Sequence, residues 1–217
     1  MSSLVKKMIM AITGLILFGF VVAHMLGNLQ IFLGSEVLNS YAEHLEELGP
    51  LLWAVRIILL IALTFHIATA IQLAVENRAA RPIPYASKNT VQASYASRTM
   101  VVTGFIVLAF IVYHLLHFTF GRIYPEFSGA LDSHGRQDIY LMVVKSFQDP
   151  WVSGSYILAM FLLCVHLSHG LSSLFQSLGV SNEKWDKRFK LFAKVVATAI
   201  FIGNTSIPTA ALLGILK

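Results

Sequence analysis

The stretch Cys164-Val165-His166-Leu167-Ser168-His169-Gly170-Leu171 sits inside an apolar run from Trp151 to Phe175. An imidazole at that depth has lost its water and needs a partner among its neighbours. Three other long apolar runs repeat the oddity, carrying His24, His66, and His114 with His117. Four such segments point to a buried group held between helices.

Composition agrees. Of 217 residues, 56% are hydrophobic and 12% charged, and the mean hydropathy is +0.71. A transmembrane helix needs about 20 largely apolar residues, and five runs qualify: 8–33, 51–75, 99–120, 151–176 and 195–216. The expected fold is all-α, an integral membrane bundle forming one domain over 1–217. The first run exceeds the roughly 7–15-residue core of a signal peptide and lacks a small-x-small cleavage site, so it reads as a retained helix. Cys164 is the only cysteine, which excludes an internal disulfide and a cysteine-ligated iron–sulfur cluster.

The net charge of +5 is distributed as in a membrane protein, not as in a nucleic-acid binder. Lys6 and Lys7, then Arg78, Arg81, Lys88 and Arg98, then Lys184, Lys187, Arg188, Lys190 and Lys194 fall in alternate connections. By the positive-inside rule these are cytoplasmic. The N-terminus is therefore expected inside and the C-terminus outside. The segment 34–50 has no Lys or Arg but holds Glu36, Glu43, His44, Glu46 and Glu47, read as a short surface helix.

His24, Gly27 and Asn28 share one helix face, where the glycine leaves room for something flat. Gly49-Pro50 and Asp149-Pro150 start the second and fourth helices, and Ser94 and Ser97 are candidate caps of the third. The segment 181–194, with Trp185, Phe189 and Phe192, reads as an interfacial amphipathic stretch. Gly203, Asn204 and Pro208 predict a kink in the fifth helix. There is no repeat of solenoid length, no phosphate-binding glycine loop and no nucleophile motif.

With helices of alternating direction and a rise of 1.5 Å per residue, His24 and His114 fall about 5 and 7 Å outward of their helix centres. His66 and His166 fall about 4 Å inward by the same measure. Two levels about 10 Å apart, each drawing on two helices, suit two stacked bis-histidine hemes, whose filled axial positions serve electron transfer. Metal transport and a proton relay are the competing readings.

His24-Met25-Leu26-Gly27-Asn28-Leu29, Asn77-Arg78-Ala79-Ala80-Arg81-Pro82 after the His66 helix, Tyr113-His114-Leu115, and His166-Leu167-Ser168-His169-Gly170-Leu171 with Phe175-Gln176-Ser177-Leu178-Gly179 resemble a known family. It is the diheme cytochrome b membrane-anchor subunit of succinate:quinone and quinol:fumarate oxidoreductases. The resemblance runs nearly the whole chain and favours His166 over His169, and His114 over His117, as ligands. It implies two b hemes, the outer on His24 and His114 and the inner on His66 and His166, with iron as the bound metal. It also implies an iron–sulfur subunit and an FAD-containing flavoprotein on the cytoplasmic face of a bacterial inner membrane, menaquinone as the substrate of this chain, and dicarboxylate chemistry confined to another chain. A dimer of the complex is compatible with it.

The quinone candidates are Gln30, Glu43, His44, His117 and Tyr124; Arg78, Arg81, Arg98 and His169 are candidates for heme propionates or partner contacts. Some relatives of this type carry an acid two residues before the fourth-helix ligand. Cys164 stands there, and a thiol with a reference pKa near 8.5 is a poor relay, leaving His169 and His117 for that role. A cytochrome b anchor of a hydrogenase or formate dehydrogenase, and a heme-free histidine-based transporter, are the alternatives.

Overall fold

The computed structural model describes residues 2–80, 99–180 and 182–217. Its helices are α1 (Ser3–Asn28), α2 (Ser35–Glu47), α3 (Pro50–Ala79), α4 (Met100–His114), α5 (Pro125–Ser128), α6 (Ile139–Phe147), α7 (Pro150–Ser177) and α8 (Glu183–Leu212). Five segments are long and apolar enough to cross a membrane: Ser3–Leu33, Pro50–Ala79, Thr99–Thr119, Pro150–Ser177 and Lys184–Leu212. The all-α, five-span reading holds.

Sequence chemistry explains the ends. Pro50 and Pro150 occupy first-turn positions where a missing N–H costs nothing, and Asp149 caps α7 by accepting from Trp151 and Val152 N–H. The expected caps Ser94 and Ser97 lie outside the described residues. α1 tightens into a 3-10 turn over Leu29–Leu33, whereas α4 widens into a π turn over Leu115–Thr119, closed by Phe120 N–H on the Leu115 carbonyl at 2.8 Å.

One expectation needs correction. Residues 183–194 are not a separate interfacial segment but the first turns of α8, continuous with the fifth span. The reason is aromatic packing: Phe189 stacks on Phe175 of α7 with centroids 4.2 Å apart, drawing this stretch onto the bundle. Helix α8 also runs on through Pro208 to Leu212. Asn204 turns its amide to the Ile200 carbonyl at 2.9 Å, and the buried Ala193, Ala197, Ile200, Ile207 and Ala211 give α8 a face that seats it closely on its neighbours.

α1 packs on α3, α4 on α7, and α7 most extensively on α8. Large apolar side chains such as Ile12, Trp53, Leu60, Phe105 and Phe161 point outward, as a bilayer solvent requires. The tightest apolar cluster lies at one end, where Ile31, Leu38, Val144, Phe147, Tyr156 and Ile207 meet. This end is capped by α2 and α6. Buried Asn39 of α2 accepts from Tyr140 N–H at 2.9 Å and donates to Asp138 at 3.1 Å. Arg136 ties the same cap to Glu36 and to Asp132, each at 2.7 Å. At the opposite end Lys6, buried, pairs with Glu76 and clamps α1 to α3.

Burial pushes the Asp132 carboxyl up, but hydrogen bonds from Arg136 and from the Arg136 and His134 backbone outweigh it and hold it at about 2 instead of 3.8. A depressed carboxylate stabilises the fold fully above its ordinary value and ceases to do so as pH falls through the folded one. The cap should therefore keep its protease resistance down to about pH 4 and lose it toward pH 2. Arg136→Gln should move that loss upward, read by limited proteolysis of the 122–138 connection.

Candidate functional site

His66 on α3 and His166 on α7 occupy equivalent surroundings. Thr13 Oγ1 of α1 lies 2.7 Å from the Ile9 carbonyl and 3.3 Å from His66 Nδ1. Thr103 Oγ1 of α4 lies 3.1 and 3.0 Å from the Thr99 and Met100 carbonyls and 3.3 Å from His166 Nδ1. A hydroxyl has one proton. Each threonine commits it to its own helix backbone and so accepts from the imidazole. The network thus assigns the proton of both rings to Nδ1 and leaves a lone pair on Nε2, the form in which histidine binds a metal.

Small residues complete both cradles. A methyl group added at Gly14 would lie 3.4 Å from His66 Cε1, and one at Gly104 would lie 3.4 Å from His166 Cε1.

At the capped end, His24 of α1 and His114 of α4 face each other edge to face with centroids 5.7 Å apart. Phe20 stacks on His24 at 5.2 Å, and Tyr156 Oη lies 3.4 Å from His114 Nδ1. Among the described residues no group of three or more His, Cys, Asp or Glu converges as a metal site. Pairs, not clusters, are what the bundle offers. Paired imidazoles from different helices with Nε2 free fit the axial positions of an iron porphyrin.

The remaining expected residues separate. His117, 2% exposed, shares a 3.0 Å hydrogen bond with Tyr156 through Nδ1 and stacks on Phe118 at 4.0 Å. Its Nε2 is buried without a hydrogen-bond partner among the described residues. Gln30 and His44 line an open groove of about 410 Å³ with Glu36, Val37, Ser40 and Tyr41. Glu43 turns to Arg136 at 3.8 Å. Tyr124 donates to Asp149 at 2.8 Å, which raises the phenol and lowers the carboxyl. His169 Nε2 is 3.1 Å from Ser173 Oγ, Arg78 ends α3, and Arg81 and Arg98 lie outside the described residues. Of the five quinone candidates, Gln30 and His44 share the groove, and His117 and Tyr124 pack together with ring centroids 5.7 Å apart. The flat object beside Gly27 is the ring of Tyr41: an added Cβ would meet Tyr41 Oη at 2.6 Å.

Sequence reasoning missed Thr13, Gly14, Thr103, Gly104 and Tyr156, though the first four carry a legible signal. Met10, Thr13, Gly14, Phe20 and His24 recur as Met100, Thr103, Gly104, Phe110 and His114, each shifted by 90, and Pro50 and His66 recur as Pro150 and His166, each shifted by 100. The pair α1 and α3 is thus an internal counterpart of α4 and α7.

Five long apolar helices with histidines packed among them define a multi-pass membrane protein. The chain belongs to the family of succinate dehydrogenase/fumarate reductase transmembrane subunits, whose family model matches residues 78–204. No curated protein and no solved structure gives a significant match. His114 and His166 lie within the matched stretch, and the internal repeat carries the same register to His24 and His66.

If the cradles exist to seat the rings, Gly104→Ala should be tolerated, since 3.4 Å is ordinary contact, while Gly104→Leu should displace His166. The expected readout is an unchanged thermal midpoint of the purified protein for alanine and a lowered one for leucine.

Proposed function

We propose that this chain is the diheme cytochrome b anchor of a succinate:quinone or quinol:fumarate oxidoreductase. It would link a menaquinone pool to an iron–sulfur subunit and an FAD-containing flavoprotein docked on the cytoplasmic face of a bacterial inner membrane. His24 and His114 hold one heme and His66 and His166 the other; the dicarboxylate reaction belongs to the flavoprotein. The observation that carries the reading is the pairing itself, two imidazole pairs from two packed helix pairs, with the threonines keeping Nε2 of His66 and His166 free.

Held between two imidazoles, a b heme has no open coordination position and supplies one-electron transfer. The chain's own work is positional. Thr13, Thr103 and Tyr156 orient ligand rings, and the glycines admit them. Helices pressed together around the rings exclude water, and Lys6 with Glu76 holds the first helix pair at the cytoplasmic end. Arg78, Arg81, Arg98 and His169 serve propionates or the soluble partner.

For the quinone, the groove of Gln30 and His44 is the better seat. Its volume of about 410 Å³ falls within the roughly 300–1,000 Å³ of small-molecule sites. It offers an amide and an imidazole to the two carbonyls. Enclosed His117 instead supports His114 through Tyr156.

The purified complex should contain a flavoprotein and show two b hemes per chain in a reduced-minus-oxidised spectrum. In it, Gln30→Leu with His44→Phe should weaken a menaquinol-analogue inhibitor by about tenfold, the loss of two hydrogen bonds of about 0.7 kcal/mol each, without changing that spectrum. A colourless protein without a flavoprotein partner would overturn the reading. Unchanged inhibitor affinity would remove the groove alone.

A further inference from the structure

The two threonine contacts are the same contact made twice. Thr13 and Thr103 stand at matching positions of the internal repeat, each eleven residues before a histidine of the capped end (24 − 13 and 114 − 103). Yet neither supports the histidine of its own helix. Thr13 reaches across to His66 and Thr103 reaches across to His166, both at 3.3 Å. The backbones of Met10 and Met100, again matching positions, are second partners of the same two rings. The other pair is held differently: His114 meets a tyrosine at 3.4 Å that it shares with His117, and His24 stacks on Phe20.

We infer that Thr13 and Thr103 are positioning residues for a single heme, the one on His66 and His166, and that their hydroxyls lower its potential. This rests on the diheme reading above. Each hydroxyl accepts the Nδ1 proton, fixes the tautomer and makes the imidazole more basic. A more basic axial pair favours ferric over ferrous iron, and hydrogen bonding around the ligands is a lever on potential. The two threonines would each support one of the two ligands of the same heme, so their effects fall together despite the 90 residues between them.

The test is a redox titration of the purified complex, with low-temperature EPR of the ferric hemes, for Thr13→Val, Thr103→Val, the double variant and the serine variants. Valine keeps the shape and removes the hydroxyl. Each valine variant should raise the midpoint potential of the same heme and shift its EPR g values, leaving the other heme in place. The double variant should add the two shifts, and serine should restore the wild-type values. Should valine prevent assembly, alanine removes the same hydroxyl and is read the same way. Shifts on two different hemes, no shift, or serine behaving like valine would overturn the inference while two hemes remain in the wild-type protein. Absence of heme from the wild type would instead overturn the reading beneath it.

Discussion

A neutral imidazole inside a bilayer must find its hydrogen-bond and ligand partners within the protein, and the bundle is arranged around that demand. Its answer at His66 and His166 is economical. Each threonine spends its hydroxyl proton on its own helix and offers the remaining lone pair to the neighbouring helix. One side of each ring is thereby satisfied and the other left as a ligand. A glycine next to each threonine lets the helices approach closely enough for the contact to form.

The two ends of the bundle serve different needs. The capped end is sealed by apolar packing and by a polar latch in which Asn39, Asp132, Asp138 and Arg136 satisfy one another. It encloses His117 and Tyr156 and leaves beside them the groove of Gln30 and His44. The other end is held by the Lys6 and Glu76 pair and by the aromatic stack of Phe175 and Phe189. In the proposed complex the first end meets quinone and the second meets the soluble subunits.

Much of this was legible in the sequence because membrane burial makes polar residues conspicuous. Five apolar runs gave five spans, and the depth argument anticipated that His24 and His114 would be neighbours. What escaped notice was made of unremarkable residues. Thr13 and Thr103 look like tolerated membrane threonines until the register shift of 90 is seen. Tyr156 looks like an interfacial tyrosine. Gly27 was legible as a gap but not as the seat of Tyr41, because contacts between α1 and α2 follow from the chain reversal at Gly34, where φ is +104°. The basic start of α8 misled because its charges suggested a surface segment, whereas Phe189 stacked on Phe175 and Gln176 bonded to Asp186 hold it against α7.

The central claim is that ligands pair between the repeats, not within them. It is tested most directly by counting hemes per chain in two double variants of the purified complex. His24→Ala with His114→Ala removes one proposed pair and should leave one heme. His24→Ala with His66→Ala breaks both pairs and should leave none. One heme surviving in the second variant, with both lost in the first, would mean that each repeat binds its own heme and would contradict the account.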